Sequence, residues 1–199
     1  PNRNIATISC SGGEASLAAD LAHDLDLTFP PLNTKQQSAL FSALGPRVTL
    51  ANPLDYHTYI WRDTAAMTAA FSAMIDPTLA LTLLIVDFPR ADRCDPSDWD
   101  CVVQAALDTR AQTGGNIGMV ATLPELMPEK IAQQLMSGGV IPFNGLREAL
   151  NAAAIAGPMT TPDIAMNLAV APEIHTTITL SESDAKQALA DYGVRSPKR

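Results

Sequence analysis

Residues 5–24 read Ile-Ala-Thr-Ile-Ser-Cys-Ser-Gly-Gly-Glu-Ala-Ser-Leu-Ala-Ala-Asp-Leu-Ala-His-Asp. The first five residues form a short apolar run that is typical of a buried strand. An Ala- and Leu-rich stretch with helix-forming composition follows the two glycines, and Leu17 and Leu21 are four residues apart on one face of it. The stretch therefore predicts a strand, a tight turn and a helix in direct succession.

The same alternation of strand and helix continues along the chain. Further strands are predicted over 25–29, 48–50, 81–86, 117–121 and 140–142. Helices are predicted over 15–24, 34–44, 64–74, 96–112, 128–136 and 146–156, with Thr34, Asp63 and Asp95 as N-caps. Strands that alternate with helices predict an α/β fold with a parallel, doubly wound sheet. We expect the continuously apolar run 81–86 at its centre, where helices cover both faces.

In such a fold, ligands bind at the carboxyl ends of the strands, and three predicted loops fall there: 11–14, 52–55 and 87–95. The turn Ser11, Gly12, Gly13, Glu14 opens a helix whose first N–H groups lack intrahelical partners and attract phosphate or carboxylate. The two glycines allow close approach to the main chain. They also suit a tight turn without any ligand, so the spacing alone leaves both interpretations open.

Four side chains of the other two loops are candidates for ligand binding: Asn52, Asp55, Arg90 and Arg93. Arginine suits phosphate or carboxylate because it donates two parallel hydrogen bonds. The segment 87–95 also holds three aspartates, so a solvated loop with internal salt bridges is the alternative.

The three histidines, His23, His57 and His175, are far apart and form no metal-binding pair or nucleophile motif. No catalytic residue and no metal ligand is therefore predicted within this chain. His57 lies in the aromatic-rich segment 55–61, where a packing or hydrogen-bonding role is favoured over catalysis.

Composition limits the partners of the chain. The net charge is −8 and no basic cluster is present, which disfavours DNA or RNA as a partner. No apolar run approaches the roughly 20 residues that span a bilayer, and the first residues lack a signal pattern. We expect a soluble, cytoplasmic protein that does not bind membranes. Three widely spaced cysteines, Cys10, Cys94 and Cys101, predict reduced thiols.

The periodic pattern ends near residue 157. Residues 158–179 predict an extended linker, and Ser181 begins a short helix that runs to about Asp191. A lone short helix buries little surface. We therefore expect a first domain over 1–157, a linker over 158–179, the truncated beginning of a second domain over 180–199, and a longer parent protein.

Several segments resemble a known family. Ser11-Gly12-Gly13 followed by Leu17-Ala18-Ala19-Asp20, and then Asn52-Pro53-Leu54-Asp55, resembles the CoA-ligase domain of NDP-forming acyl-CoA synthetases, relatives of succinyl-CoA synthetase and of ADP-forming acetate–CoA ligase. The loop 84–95 is similar to the matching loop in the β chain of succinyl-CoA synthetase, and 180–194 resembles the opening of an ATP-grasp domain. The resemblance covers about residues 4–156 and implies a flavodoxin-like, three-layer α/β/α fold.

The resemblance also implies an activity for the full-length protein. Such enzymes interconvert an acid, CoA and ATP with an acyl-CoA, ADP and phosphate through a phosphohistidine on another domain. The implied role of this chain is to turn the helix N-terminus at Ser11, Gly12, Gly13 and Glu14 towards that phosphohistidine. ATP or ADP, Mg²⁺ and CoA are expected on the CoA-binding and ATP-grasp domains, with a small carboxylic acid as substrate and no cofactor on this fragment.

Two departures from the family pattern keep alternatives open. Glu14 replaces a small or neutral residue, and its carboxylate would repel phosphate if it pointed inward or favour the helix dipole if it faced away. Segment 56–61 also departs from the pattern and could shape an acyl pocket or pack.

The alternative functions are a flavodoxin-like module that binds flavin through residues 9–13 with Tyr56 or Trp61 on the ring, or a regulatory module without ligase activity. The acyl substrate, ATP or GTP, and homo-oligomer formation stay open.

Overall fold

Five strands form one parallel sheet: β1 (Ile5–Ser9), β2 (Leu54–Asp55), β3 (Leu81–Ile85), β4 (Ile117–Ala121) and β5 (Ile141–Asn144). Their order is β2-β1-β3-β4-β5 in the computed structural model, which describes residues 2–159 and 178–195. In register, Thr7 lies opposite Leu83, and Leu83 lies opposite Gly118. The central position of β3 is confirmed, and all five of its residues are buried.

Six helices cover the two faces of the sheet: α1 (Gly12–Ala22), α2 (Thr34–Leu44), α3 (Thr64–Met74), α4 (Asp100–Thr113), α5 (Glu129–Ser137) and α6 (Leu146–Ala156). Helices α2 to α5 pack on one face, where Leu84 of β3 contributes to the core. Helices α1 and α6 pack on the other face against Leu83 and Ile85. Successive β3 residues alternate between the two cores, as the pleat of a strand requires. The three-layer, flavodoxin-like α/β/α fold is confirmed.

Two predicted strands are wrong. Residues 25–29 form only one bridge, between Asn4 and Thr28, because Asp26 adopts φ 52° and Pro30 and Pro31 follow without N–H donors. Residues 48–50 are not a strand either, and β2 begins four residues later. Asn52 explains the delay, since its side chain bonds to the backbone of β1 where a neighbouring strand would pair.

The helix boundaries follow the capping residues. Asn33, and not Thr34, caps α2: its side chain accepts a hydrogen bond from the Gln36 N–H, and the Gln36 side chain accepts one from the Asn33 N–H. Asp63 caps α3 through the Ala66 N–H at 2.9 Å, as predicted. The predicted cap Asp95 is wrong: its side chain accepts the Ser97 N–H at 3.0 Å before a short 3₁₀ turn, Ser97–Trp99, and α4 begins only after that turn, with Trp99 as its N-cap.

The chain divides into two compact units, Pro1–Thr160 and Thr161–Arg199. In the second unit, the predicted helix is confirmed as α7 (Glu182–Asp191), and the Asp184 N–H donates to the Ser181 hydroxyl at 3.2 Å. Residues 160–177, which hold most of the predicted linker and His175, lie outside the described residues. Among the described residues, no helix has the length and apolar character needed to cross a membrane.

Candidate functional site

The turn between β1 and α1 lies at the carboxyl edge of the sheet. Ser11 is the N-cap of α1 in an extended conformation, and its side chain makes no capping hydrogen bond. The Ser9 hydroxyl donates to the Ser11 carbonyl at 2.9 Å and holds the turn. The first-turn N–H groups of α1, beginning at Gly12, therefore lack the side-chain acceptor that caps α2 and α3.

A carboxylate of the chain itself lies beside this helix end. A Cβ atom added to Gly12 would be 3.3 Å from Oδ2 of Asp55, so only a small residue fits there comfortably. Oδ1 of Asp55 accepts the His57 N–H at 2.8 Å, and Oδ2 is 3.6 Å from Nδ1 of the His57 ring. Asp55 therefore already places negative charge at the positive end of α1, where such charge is favourable.

Glu14 adopts the inward orientation. Its Oε2 atom is enclosed and has no hydrogen-bond partner. Burial, followed by the charges of Asp87 and Asp55, raises the pKa of Glu14 to about 7. Burial penalises the ionised form and the two neighbouring carboxylates repel it, so neutral and ionised Glu14 coexist near neutral pH.

Asp87 follows the central strand and is fixed by the loop after β4. Its Oδ1 accepts the Thr122 N–H and its Oδ2 accepts the Thr122 hydroxyl, both at 2.6 Å. We call Glu14, Asp55 and Asp87 the carboxylate cluster. Within residues 2–159 and 178–195, no group of His, Cys, Asp and Glu side chains has the geometry to hold a metal ion.

Cys10 borders the carboxylate cluster but is a weak nucleophile. Burial and the charge of Glu14 raise the pKa of its thiol. The thiolate is the reactive form of cysteine, and this environment disfavours it. The free cysteines Cys10, Cys94 and Cys101 agree with the predicted reduced thiols.

The other predicted site residues are placed differently. Asn52 lies along β1: its Oδ1 accepts the Thr7 N–H at 3.3 Å, and its Nδ2 donates to the carbonyls of Ile5 at 3.0 Å and Pro30 at 3.1 Å. It therefore supports the sheet edge and does not join the carboxylate cluster, which corrects its predicted placement.

Arg90 and Arg93 occupy an exposed loop with internal salt bridges. Arg90 donates to both carboxylate oxygens of Asp92, at 3.0 and 2.7 Å, and Nε of Arg93 is 3.6 Å from Oδ2 of the same residue. Both guanidinium groups thus share one neighbouring carboxylate. This geometry corresponds to the solvated-loop alternative that the sequence left open.

Segment 56–61 divides into a buried and an exposed part. Tyr56 is 2% exposed and packs edge-to-face on Phe71, with ring centroids 5.6 Å apart. A ligand ring cannot stack on a residue enclosed in this way, which removes Tyr56 from the flavin alternative. His57 has φ 58°, and its half-exposed ring packs 5.5 Å from that of Tyr59. The hydrogen bond to Asp55 is made by the backbone N–H of His57 and not by the imidazole.

Comparisons with known proteins identify the fold. No family model and no curated sequence matches the chain. Solved structures do match. PH0766 from Pyrococcus horikoshii OT3 superposes with a TM-score of 0.62 at 17% identity, over 77% of this chain and 34% of that chain. The dinucleotide forming acetyl-coenzyme A synthetase 1 of Ca. Korarchaeum cryptofilum, in its apo form, superposes with a TM-score of 0.56 at 16% identity, over 77% and 32%.

This chain shares its fold with part of an acetyl-CoA synthetase. The same synthetase in complex with phosphate and ADP superposes with a TM-score of 0.55 at 15% identity, again over 77% of this chain and 32% of that one. The chain therefore spans about a third of the length of the solved chains that it matches. The fold expected from the resemblance is thus found in part of an acetyl-coenzyme A synthetase.

Proposed function

We propose that this chain is one domain of an NDP-forming acyl-CoA synthetase, a larger protein that interconverts an acid, CoA and ATP with an acyl-CoA, ADP and phosphate. The observation that carries the proposal is the N-terminus of α1, which has no side-chain cap and opens at the carboxyl edge of a domain with the acetyl-CoA synthetase fold. In this proposal the phosphohistidine, ATP or ADP, Mg²⁺ and CoA are held by other domains of the same protein.

The part of this chain is to stabilise a phosphoryl group. The first N–H groups of α1, at Gly12 and Gly13, are fixed donors at the positive end of a helix dipole. Fixed donors stabilise developing negative charge without having to reorganise during the reaction. The side chains of Ser11 and Glu14 flank these donors on the same turn.

Glu14 makes this stabilisation dependent on its proton. A neutral Glu14 can donate a hydrogen bond to a phosphoryl oxygen, whereas an ionised Glu14 repels it. Because the pKa of Glu14 is raised to about 7, both forms are populated under physiological conditions. The proposal therefore requires phosphoryl binding to weaken as the pH rises through 7.

The decisive experiment uses the full-length protein with labelled ATP, Mg²⁺, CoA and a panel of short and aromatic acids. Protein-bound, acid-labile phosphate and new acyl-CoA are followed together. Label that is discharged as acyl-CoA and ADP form would support the synthetase. A protein that gives neither label nor thioester with any acid would contradict it.

Gly13→Val tests the helix end itself. A Cβ atom at position 13 meets only Ser11 Oγ, at 3.5 Å, so the substitution fits the fold while its branches shield the N–H donors. We expect phosphotransfer in the full-length protein to fall by about 100-fold, the usual effect of losing a fixed donor.

Ala19→Val is the matched control for Gly13→Val, because it adds the same side chain at an exposed position of α1. It should retain phosphotransfer close to the unmodified rate. Phosphohistidine turnover that is unchanged in Gly13→Val would remove the glycine turn from the mechanism.

The carboxylate cluster favours one alternative, a ligand-binding or regulatory module of the same fold without ligase activity. The side chains of Asp55 and Asp87 disfavour an anion at this edge. If such a module binds flavin, Trp61 is the residue that can stack on the ring, because Tyr56 is buried. Visible absorbance of the purified protein would reveal a bound flavin.

A further inference from the structure

A cavity of about 330 Å³ opens at the carboxyl edge, next to the carboxylate cluster. Its apolar walls include Trp61, Trp99 and the consecutive residues Ile85 and Val86 at the end of β3. Cys10, Thr58 and Asp87 supply its polar atoms. A cavity of this size falls at the lower end of the range for small-molecule sites.

The two tryptophans give the cavity flat, preformed walls. Their rings pack edge-to-face with centroids 5.6 Å apart and planes at 74°. The backbone N–H of Trp61 donates to the Thr58 carbonyl at 3.1 Å, and Trp99 is the last residue of the 3₁₀ turn before α4. Indole faces bind aromatic rings and branched alkyl groups well because they offer large apolar surfaces with little freedom to lose.

The charges around the cavity exclude a carboxylate. In the part of the chain that the structure describes, Asp87 is the carboxyl group on the lining, and no lysine, arginine or histidine lines the cavity. The nearby guanidinium of Arg62 is engaged with Asp98, and that of Arg90 with Asp92. Asp87 would repel an anion in the cavity, and Glu14 lies close enough to Asp87 for its pKa to be raised by it. A neutral group with an O–H or N–H could instead donate a hydrogen bond to Asp87.

We propose that this cavity binds the uncharged aromatic or branched tail of a ligand and keeps the ligand's carboxylate outside. The ligand is the carboxylic acid substrate, with its carboxyl group directed out of the cavity. This assignment rests on the proposed function. The synthetase would then prefer acids with a ring or a branched chain over acetate.

Tryptophan fluorescence gives a direct test on the 199-residue chain. The chain has two tryptophans and both line the cavity, so their emission reports on this site. We expect benzyl alcohol to change the emission saturably and benzoate to bind at least about tenfold more weakly, because its charge meets Asp87. No saturable change with benzyl alcohol, or equal binding of benzoate, would overturn the proposal. Tighter binding of benzylammonium would also overturn it, in favour of a cation site.

Thr58→Phe tests the location of binding. Thr58 is exposed at the cavity lining, so a phenyl ring there can occupy the cavity without disturbing the core. We expect benzyl alcohol binding to weaken at least about tenfold, a loss that one apolar group of ring size accounts for. Ser38→Phe, at an exposed position of α2, is the matched control and should bind like the unmodified chain. Unaltered binding in Thr58→Phe would refute the assignment to this cavity.

Acid selectivity of the full-length protein separates this proposal from the proposed function. Thr58→Phe should lower the ratio of kcat/KM for phenylacetate to that for acetate by about tenfold. An unchanged ratio in an active synthetase would contradict the substrate assignment but not the proposed function. Benzyl alcohol binding in a protein that forms no acyl-CoA would contradict the proposed function but not ligand binding in the cavity.

Discussion

Glu14 is the residue at which the site departs most from an ordinary anion-binding helix end. An acidic residue in the first turn of a helix is normally favourable because of the dipole. Here enclosure and two further carboxylates outweigh the dipole, so the proton is retained and the pKa rises to about 7. The sequence identifies Glu14 as a departure from the family pattern, but its raised pKa depends on burial and on Asp87 and Asp55, which follow or belong to other strands.

The raised pKa predicts how stability depends on pH. In the unfolded chain Glu14 releases its proton near its ordinary pKa, whereas the folded chain keeps it up to about pH 7. Between these values the folded state binds more protons, so the free energy of unfolding falls as the pH rises and levels off above 7. Glu14→Gln removes this titrating group. The gain in the free energy of unfolding over the unmodified chain should therefore be larger at pH 8 than at pH 5, by about 1 kcal/mol after allowance for the half-exposed side chain.

Urea unfolding of both proteins at pH 5 and pH 8 measures this difference. Asp20→Asn is the control, because Asp20 is exposed on the same helix and away from the cluster. An identical pH dependence in Glu14→Gln and the unmodified chain would show that Glu14 is ionised throughout this range.

At the scale of elements, the helices and the edge strand β5 were predictable, and the edge strand β2 was not. The ends of a helix are determined by local signals. Asp63 is the N-cap of α3 and Gly114 is the C-cap of α4, and each is adjacent in sequence to the helix that it bounds. The edge of the sheet depends on Asn52, whose partners Ile5 and Thr7 are more than 40 residues away. No local pattern encodes such a contact, and so the sequence predicts a strand at 48–50, before the position of β2 at Leu54–Asp55.

The Asn52 side chain should therefore matter for stability and not for ligand binding. Asn52→Ala leaves the Thr7 N–H and the carbonyls of Ile5 and Pro30 without this partner. We expect a loss of about 2 kcal/mol in the free energy of unfolding, because partly buried backbone groups lose their hydrogen bonds. Chemical denaturation measures this loss. Asn151→Ala on α6 is the control, and an equally small effect of both substitutions would contradict a supporting role for Asn52.

At the scale of the whole molecule, the alternation of strands and helices determined the fold and the position of the carboxyl edge. The site was only partly predictable for a geometric reason. The turn Ser11–Glu14 and the loop that holds Asp87 follow directly from strand ends, so the topology alone brings them together. Trp61 and Trp99 meet only because the turn before α4 folds back on segment 56–61, which depends on packing between residues 38 positions apart.

The two cores also predict where the stability of the molecule lies. Among the residues that the structure describes, every member of the two buried clusters lies between Ile5 and Ala153, and α7 contributes none. A chain that ends at Met159 should therefore unfold cooperatively, with a Tm within about 2 °C of the 199-residue chain, since it keeps every residue of the two described cores.

A chain that ends at Gly145 provides the contrast. It lacks α6, whose residues Leu146, Ala149, Leu150 and Ala153 complete the core against Leu83 and Ile85. Uncovering this face of the sheet should abolish cooperative unfolding, because the apolar side chains of β3 would meet water. Thermal unfolding followed by circular dichroism compares the three lengths. If the chain ending at Met159 lost its transition while the 199-residue chain kept it, residues beyond 159 would have to contribute to the fold, and the first unit would not be an independent domain.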